Sequence, residues 1–379
     1  MSHTPATVPA GRLPALDGLR GVAAFVVLLY HLTLVARPSL DTGRTGDAWW
    51  WVTETPAKVL TVGTESVLVF FALSGLVVAL PALRDGFSWR AYYASRLVRL
   101  YVPVWAALAL AAALILLLPR DPGMVSADEW ISNANAGSLS VSGLLTEASL
   151  WRPTYVIDNV LWSLRWELIF SLALPLFVGV ALALRRFALP SVLLAAALTV
   201  TGRLVDSDPL VYLPVFFLGT TMAVHLPRIR EWSARRHPAT WTLLCLGALV
   251  LLILSFLLRF AAPAGSPASA LLWGFAGIGA PLLLLVAVGS PAVSRALASS
   301  LPQKLGQISF SLYLVHVPVL ATVTYLVGDG LWWLVALISI PLCLTVGWLF
   351  YLVAERPSHA LARRLGRIFG KRPELARVP

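Results

Sequence analysis

Ten separate stretches of mostly apolar residues run through this chain, at roughly 19–36, 59–81, 98–118, 161–184, 187–204, 209–225, 240–260, 269–288, 308–327 and 331–354. Each is near the length a helix needs to cross a bilayer's hydrocarbon core, about 20 residues at about 1.5 Å apiece. In hydrocarbon every backbone N–H and C=O must be paired within the protein, which leaves only helices and closed barrels as spanning structures. Stretches this long are helices. The expected fold is therefore all-α, a polytopic membrane bundle of about ten transmembrane helices. A composition of 58% hydrophobic and 12% charged residues, with mean hydropathy +0.80, excludes an ordinary water-soluble domain.

A net charge of +11 raises the question of nucleic acid, and the placement of the basic residues answers it. With the N-terminus inside, 20 of the 29 Lys and Arg residues fall in inward segments and seven in outward ones, while Arg20 and Arg165 lie in helices. That asymmetry is the positive-inside rule, so the charge reports topology and not a polyanionic partner. An even number of spans then puts both termini in the cytoplasm, and the expected location is the plasma membrane, multi-pass. Cys245 and Cys343 both fall in apolar spans and read as small hydrophobes, and no metal site is expected. The first residues lack a signal-peptide layout, so the first span is expected to be retained.

The chain divides into a cytoplasmic segment at 1–18, a single membrane domain at 19–356 and a basic cytoplasmic tail at 357–379. One long outward segment, about 119–160, contains Asp121, Asp128, Glu129, Glu147 and Asp158 among small polar residues. It is expected to form short helices over the outer mouth. The tail is amphiphilic, with Arg363, Arg364 and Arg367 beside Leu365, Ile368 and Phe369, and reads as a surface helix against anionic lipid.

Ionisable groups at membrane depth cost roughly 2.5–3.5 kcal/mol on insertion scales, which makes each one a candidate for function. Arg20 and His31 stand eleven residues apart in the first span, close to three full turns, so they share a face about 16 Å apart along the axis. They suit two ends of an elongated ligand, or else a boundary arginine and a structural histidine. Asp17 just before them reads as a helix cap. Arg96 and Arg99, at i and i+3 in the approach to the third span, form either a phosphate clamp or a positive-inside anchor or lipid headgroup site. Ser163 and Glu167 share a face of the fourth span, and the carboxylate is expected either to hold the His31 imidazole or to form a buried ion pair with Arg165 or another helix. Ser309, Tyr313 and His316 make a polar stripe on the ninth span, suited to lining substrate or to bonding across helices. Glu65 has no evident role.

These same residues carry a resemblance. "LDGLRGVAAFVVLLYH" with its Arg20-x10-His31 spacing, "VFFALSG" from Val69, "RLVR" from Arg96 to Arg99, "LWSLRWELIF" around Glu167, "LGQISFSLYLVHVPV" around His316 and the closing Glu355-Arg356-Pro357 occur in that order along nearly the whole chain. In this the protein resembles the acyltransferase-3 family of integral membrane acyltransferases, which acylate surface polysaccharides, glycolipids and sugar-bearing antibiotics. The resemblance implies that His31 is the catalytic base, that Arg20, Arg96 and Arg99 serve the acyl-donor path, and that Glu167 belongs to the active centre. Leu168 stands where many relatives have a second acidic residue, so a paired-carboxylate mechanism is not expected.

The expected activity is O-acyl transfer. An acyl-CoA, as co-substrate and not a bound cofactor, enters from the cytoplasm and gives an acetyl or other short acyl group to a hydroxyl of a sugar-containing acceptor at the outer face. No serine or cysteine has a nucleophile's setting, which favours direct attack on the thioester. The rival class is a transporter or flippase, since buried Arg, His and Glu also suit a coupled carrier, although no repeated pair of broken helices is evident. A non-catalytic lipid or glycan receptor is a third reading.

Overall fold

Each apolar stretch lies largely within a helix, and several of the helices, the first and third among them, extend past it at a polar end. A computed structural model describes residues 13–152 and 155–370, and among them there are helices and turns but no strand. Ten helices are long and apolar enough to cross a membrane. They are α1 (Pro14–Leu40), α2 (Gly63–Ala82), α3 (Trp89–Leu117), α4 (Leu161–Ala183), α5 (Arg185–Leu204), α6 (Asp208–Ala234), α7 (Pro238–Leu257), α8 (Pro267–Gly289), α9 (Ser300–Val327) and α10 (Trp332–Phe350). A π-helical turn at Tyr351–Glu355 joins α10 to an eleventh helix, α11 (Arg356–Gly370).

The extensions decide where key side chains sit. Helix α3 starts at Trp89, with the Ser88 hydroxyl accepting from the Ala91 N–H at 3.3 Å, about three turns before the apolar run begins. Arg96 and Arg99 therefore lie inside a helix and not in an approach loop. Helix α1 likewise starts at Pro14, which places Asp17 in its first turn, where a carboxylate complements the helix dipole, and not at the cap position.

Helix α9 is the centre of the bundle, with 83% of its apolar window buried, against 28% for α5 and α7, whose leucines face outward as lipid-exposed positions. Helix α9 packs on α1 and α10, and α2 packs on α6. Lipid is as apolar as leucine, so these helices are held by close packing, and close packing needs small residues. At the α1–α9 crossing a Cβ on Gly21 would lie 2.3 Å from the Gly306 nitrogen, and one on Gly306 would lie 2.2 Å from the Asp17 carbonyl oxygen. The α2–α6 crossing is built alike, from Gly75 against Phe216 O and Gly219 against Ala72 O.

The connectivity sends the segment after α3 to the end of the bundle where α1 finishes. There it folds into a 3-10 turn at Pro122–Met124 and short helices at Trp130–Asn133 and Val141–Ala148. Two carboxylates tie it down. Asp329 accepts from the Ser126 N–H at 2.6 Å, and the buried Glu147 accepts from the N–H groups of Val156, Ile157 and Asp158 at 2.7, 2.8 and 3.0 Å. The result is an ordered lid whose Trp130 ring centroid lies 4.9 Å from that of His31. The Asp158 carboxyl is fully buried, and burial, reinforced by the Glu147 charge and only partly opposed by the Val160 N–H, pushes it well above the usual carboxylate range. Glu147 is raised too, by burial, with its three N–H donors opposing.

Gly306→Leu forces α1 and α9 apart, and overpacking of this kind costs about 1–3 kcal/mol or more, so thermal unfolding in detergent should shift down by several degrees while an alanine at exposed Gly179 leaves it unchanged. A carboxyl whose folded-state pKa lies above its unfolded value of about 3.9 binds its proton more tightly when folded. Its contribution is complete below the unfolded value and is lost as pH rises through the folded one. Asp158→Asn removes that loss, so the variant's melting temperature should gain on wild type between pH 5 and pH 8. A gap that does not change with pH contradicts the assignment.

Candidate active site

His31 and His316 come together through helix register. Gly21 and Gly306 touch at the α1–α9 crossing, and each histidine lies ten residues further along its helix, about 15 Å at 1.5 Å per residue. Ten is three plus seven, a seam spacing for helices that run in parallel, so the two imidazoles meet. His316 Nε2 lies 3.1 Å from His31 Nδ1, with ring centroids 5.0 Å apart.

The hydrogen bonds assign the tautomers. His316 Nδ1 faces two carbonyl oxygens, Tyr313 O at 2.8 Å and Leu312 O at 3.1 Å, and must donate, which leaves Nε2 as an acceptor. His31 Nδ1 then faces two acceptors, His316 Nε2 and Val27 O at 3.0 Å, so it carries the proton. The lone pair of neutral His31 is thereby on Nε2. This is the arrangement of a general base held by a second group.

That second group is His316, not Glu167. The Glu167 carboxylate accepts from the Arg96 guanidinium and from the Ser74 hydroxyl, the latter at 2.6 Å, while Arg96 Nε donates to the Ser171 hydroxyl at 3.0 Å. The expectation that Glu167 holds the imidazole fails for a physical reason. The early start of α3 carries Arg96 to the depth of Glu167, and a carboxylate there takes the nearest cation.

Two cavities flank Tyr313. The larger, about 1010 Å³, is lined by Arg20, Arg96, Arg99, Ser309, Glu167 and Glu355 among others. The smaller, about 310 Å³, lies under the lid and is lined by His31, Tyr30, Trp130, Trp162, Tyr212 and Asn159 among others. Tyr313 and Val67 border both. The Tyr313 hydroxyl lies 2.7 Å from Ser163 Oγ, and since Ser163 donates to Val160 O at 3.0 Å, Tyr313 is the donor of that pair. A buried tyrosine–serine bond between α9 and α4 thus stands between the arginine-rich cavity and the histidine-bearing pocket.

The sequence-predicted residues divide accordingly. Arg20, Arg96, Arg99, Ser163, Glu167 and Ser309 gather in the large cavity, with the Ser309 hydroxyl donating to Gly306 O at 2.9 Å. His31 lines only the small pocket, Tyr313 joins the two, and His316 is buried behind His31. Sequence reasoning missed the pairing of the histidines, whose signal is the equal Gly21–His31 and Gly306–His316 spacing. It missed the aromatic wall, which is contributed by five separate segments and leaves no local pattern. Glu65, without a role from sequence, accepts from the Trp273 indole at 2.6 Å and ties α2 to α8.

A family model described as an acyltransferase domain matches residues 13–352, and the chain belongs to that acyltransferase-3 family. The protein is an integral membrane acyltransferase. It is 26% identical to acyltransferase MdmB of Streptomyces mycarofaciens over 97% of this chain and 95% of that protein. No solved structure matches it.

With His316→Ala the Nδ1 proton of His31 loses one of its two acceptors. We expect kcat to fall by about 10²- to 10⁴-fold, the scale on which an acyl-transfer base loses its orienting partner, with KM changed little. His316→Gln, whose side chain can still accept, should restore part of the rate. An unchanged pH–rate profile and rate in His316→Ala would remove it from this role.

Proposed function

We propose that the protein transfers an acetyl or other short acyl group from a cytoplasmic acyl-CoA to a hydroxyl of a sugar-containing acceptor at the outer face of the plasma membrane. The observation that carries the reading is the placement of a basic His31 nitrogen in an aromatic pocket on one side of Tyr313, with a cavity of converging arginines on the other. Guanidinium groups recognise phosphates bidentately, and the molecule that combines an acyl thioester with several phosphates is an acyl-CoA. The arginine cavity is large enough for an extended donor, and the Arg20-to-His31 separation of about 16 Å suits its length.

The outer pocket suits a sugar. Flat aromatic faces cover the apolar faces of a pyranose ring, and Asn159 and Thr64 supply polar partners at the edge. Membrane lipid surrounds the site without occupying it. The positive-inside distribution orients the arginine cavity to the cytoplasm and the lid outward, with both termini inside.

Transfer then runs as follows. The thioester end of the donor passes Tyr313 as its bond to Ser163 opens, while Arg20, Arg96 and Arg99 keep the phosphates and Glu167 holds Arg96 in place. His31 Nε2 takes the proton of the acceptor hydroxyl as its oxygen attacks the thioester carbonyl. His316 Nε2 accepts the Nδ1–H of the imidazolium that forms, and the Val27 carbonyl supports it. The C–O bond forms, the C–S bond breaks, and the coenzyme A thiolate leaves with the proton returned from His31. The lid excludes water, which would otherwise hydrolyse the thioester.

The test is incubation of detergent-solubilised wild type and His31→Ala with radiolabelled acetyl-CoA and a panel of cell-envelope and secreted glycosylated acceptors. Label should move to acceptor with wild type and fall to background with a monodisperse His31→Ala protein. Equal transfer by both removes His31 from catalysis, and transport of donor or acceptor in vesicles without chemistry would favour a carrier.

A further inference from the structure

Helix α11 lies outside the stretch matched to the family, which ends at residue 352. Its sequence alone places it on a lipid surface, but its packing places it along α3. Small residues at four-residue spacing, Gly366 and Gly370, face that helix, and Ala362 one turn earlier is buried. A Cβ on Gly366 would lie 3.6 Å from Ser95 Cβ, and one on Gly370 would lie 3.3 Å from Ala91 Cβ. A second stripe, also at four-residue spacing, runs Glu355, His359, Arg363 and Arg367, and all four side chains line the large cavity. Apolar Leu361, Ile368 and Phe369 remain exposed on the rest of the helix. The π-helical turn before Arg356 sets this register, as such turns often do at functional sites.

The charge in the cavity requires these residues. Arg20, Arg96 and Arg99 face Glu167 and Glu355, so three positive charges less two negative leave one, and Arg96 is already engaged by Glu167. Coenzyme A bears a diphosphate and a 3′-phosphate, and the latter alone carries about −1.5 to −2 at neutral pH. Arg363 and Arg367 add two cations at the cavity mouth, where a nucleotide would sit if the thioester end points toward Tyr313. Both are solvent-exposed, free to turn onto a ligand, and Arg363 is close enough to Arg99 and His359 to interact with them electrostatically.

We propose that Arg363 and Arg367 of the C-terminal helix bind the nucleotide phosphates of the acyl donor, extending the donor site beyond the family's shared domain. This rests on the acyl-CoA reading above. The same guanidinium groups could instead serve a lipid phosphate, so the experiment separates the two sources.

The full-length protein, in neutral detergent and in nanodiscs containing anionic phosphatidylglycerol, is assayed with acetyl-CoA, acetyl-3′-dephospho-CoA and acetyl-pantetheine, which lacks the nucleotide. In Arg363→Ala/Arg367→Ala, KM for acetyl-CoA should rise by about tenfold or more, the loss of at least one charge-assisted bond. KM for acetyl-pantetheine should stay at the wild-type value, and kcat should be kept with both donors. The Arg363→Lys/Arg367→Lys variant should recover part of the effect and depend more steeply on salt. Arg364→Ala, outside the cavity, should match wild type. Equal KM increases for acetyl-CoA and acetyl-pantetheine, or an effect seen only with phosphatidylglycerol, would overturn the proposal in favour of a structural or lipid-anchoring helix. An unchanged acetyl-CoA KM would overturn it outright. A wild type that turns over none of the three donors overturns the acyl-CoA reading, and the proposal with it, whereas wild-type turnover with unaltered variants defeats the proposal alone.

Discussion

The contact between Gly21 and Gly306 governs the geometry of the histidine pair although neither residue touches it. Parallel helices can bring two side chains into register only if their axes are close where they cross, and here the backbones touch. From that point the common helical rise carries His31 and His316 to the same height, about 15 Å away. Any bulk at the crossing would separate the axes and leave each imidazole seeking another partner. Helix α9 can bear two such tasks, holding His316 and presenting Tyr313, because it is buried on nearly every side and has no rotational freedom to spare.

Both histidines satisfy themselves locally first, through backbone carbonyls one turn back in their own helices, and only then through each other. That hierarchy makes the pair directional. His316 can only donate from Nδ1, so it can only accept at Nε2, and the basic nitrogen of the couple is displaced to His31 Nε2. A carboxylate in the place of His316 would have held a charged imidazolium more tightly but would have required an ionised acid in a deeply buried setting, which is costly without further donors. The Glu167 carboxylate instead pairs with Arg96 and sets its position.

Tyr313 stands between two cavities of different character. On one side arginines dominate, and on the other aromatic rings surround His31. For the proposed reaction the division has a chemical purpose, since a thioester in contact with water and a general base would hydrolyse. A hydroxyl pair as the partition is modest in strength, about 0.5–1.5 kcal/mol for a typical hydrogen bond, so the proposed donor could open it on entry. The lid completes the enclosure, anchored by Glu147 and Asp329 at its two ends.

Much of this was legible in the sequence because bilayers impose strict rules. Length and hydropathy alone determined the ten crossings, since unpaired backbone in hydrocarbon is excluded, and the cost of charge at depth picked out Arg20, His31, Arg96, Arg99 and Glu167. The motif order led to the family. What the sequence could not decide was pairing. One-dimensional spacing tells which residues share a face of one helix, but says nothing of the neighbour that face meets. Thus His31 and Glu167, each singled out by its charge at membrane depth, are expected together from the sequence, and the structure gives them to His316 and Arg96. The amphipathic stripe of α11 was equally visible, yet hydropathy cannot distinguish a helix lying on lipid from one docked over a cavity. Only the close approach of Gly366 and Gly370 to α3, a contact between segments far apart in the chain, made that choice.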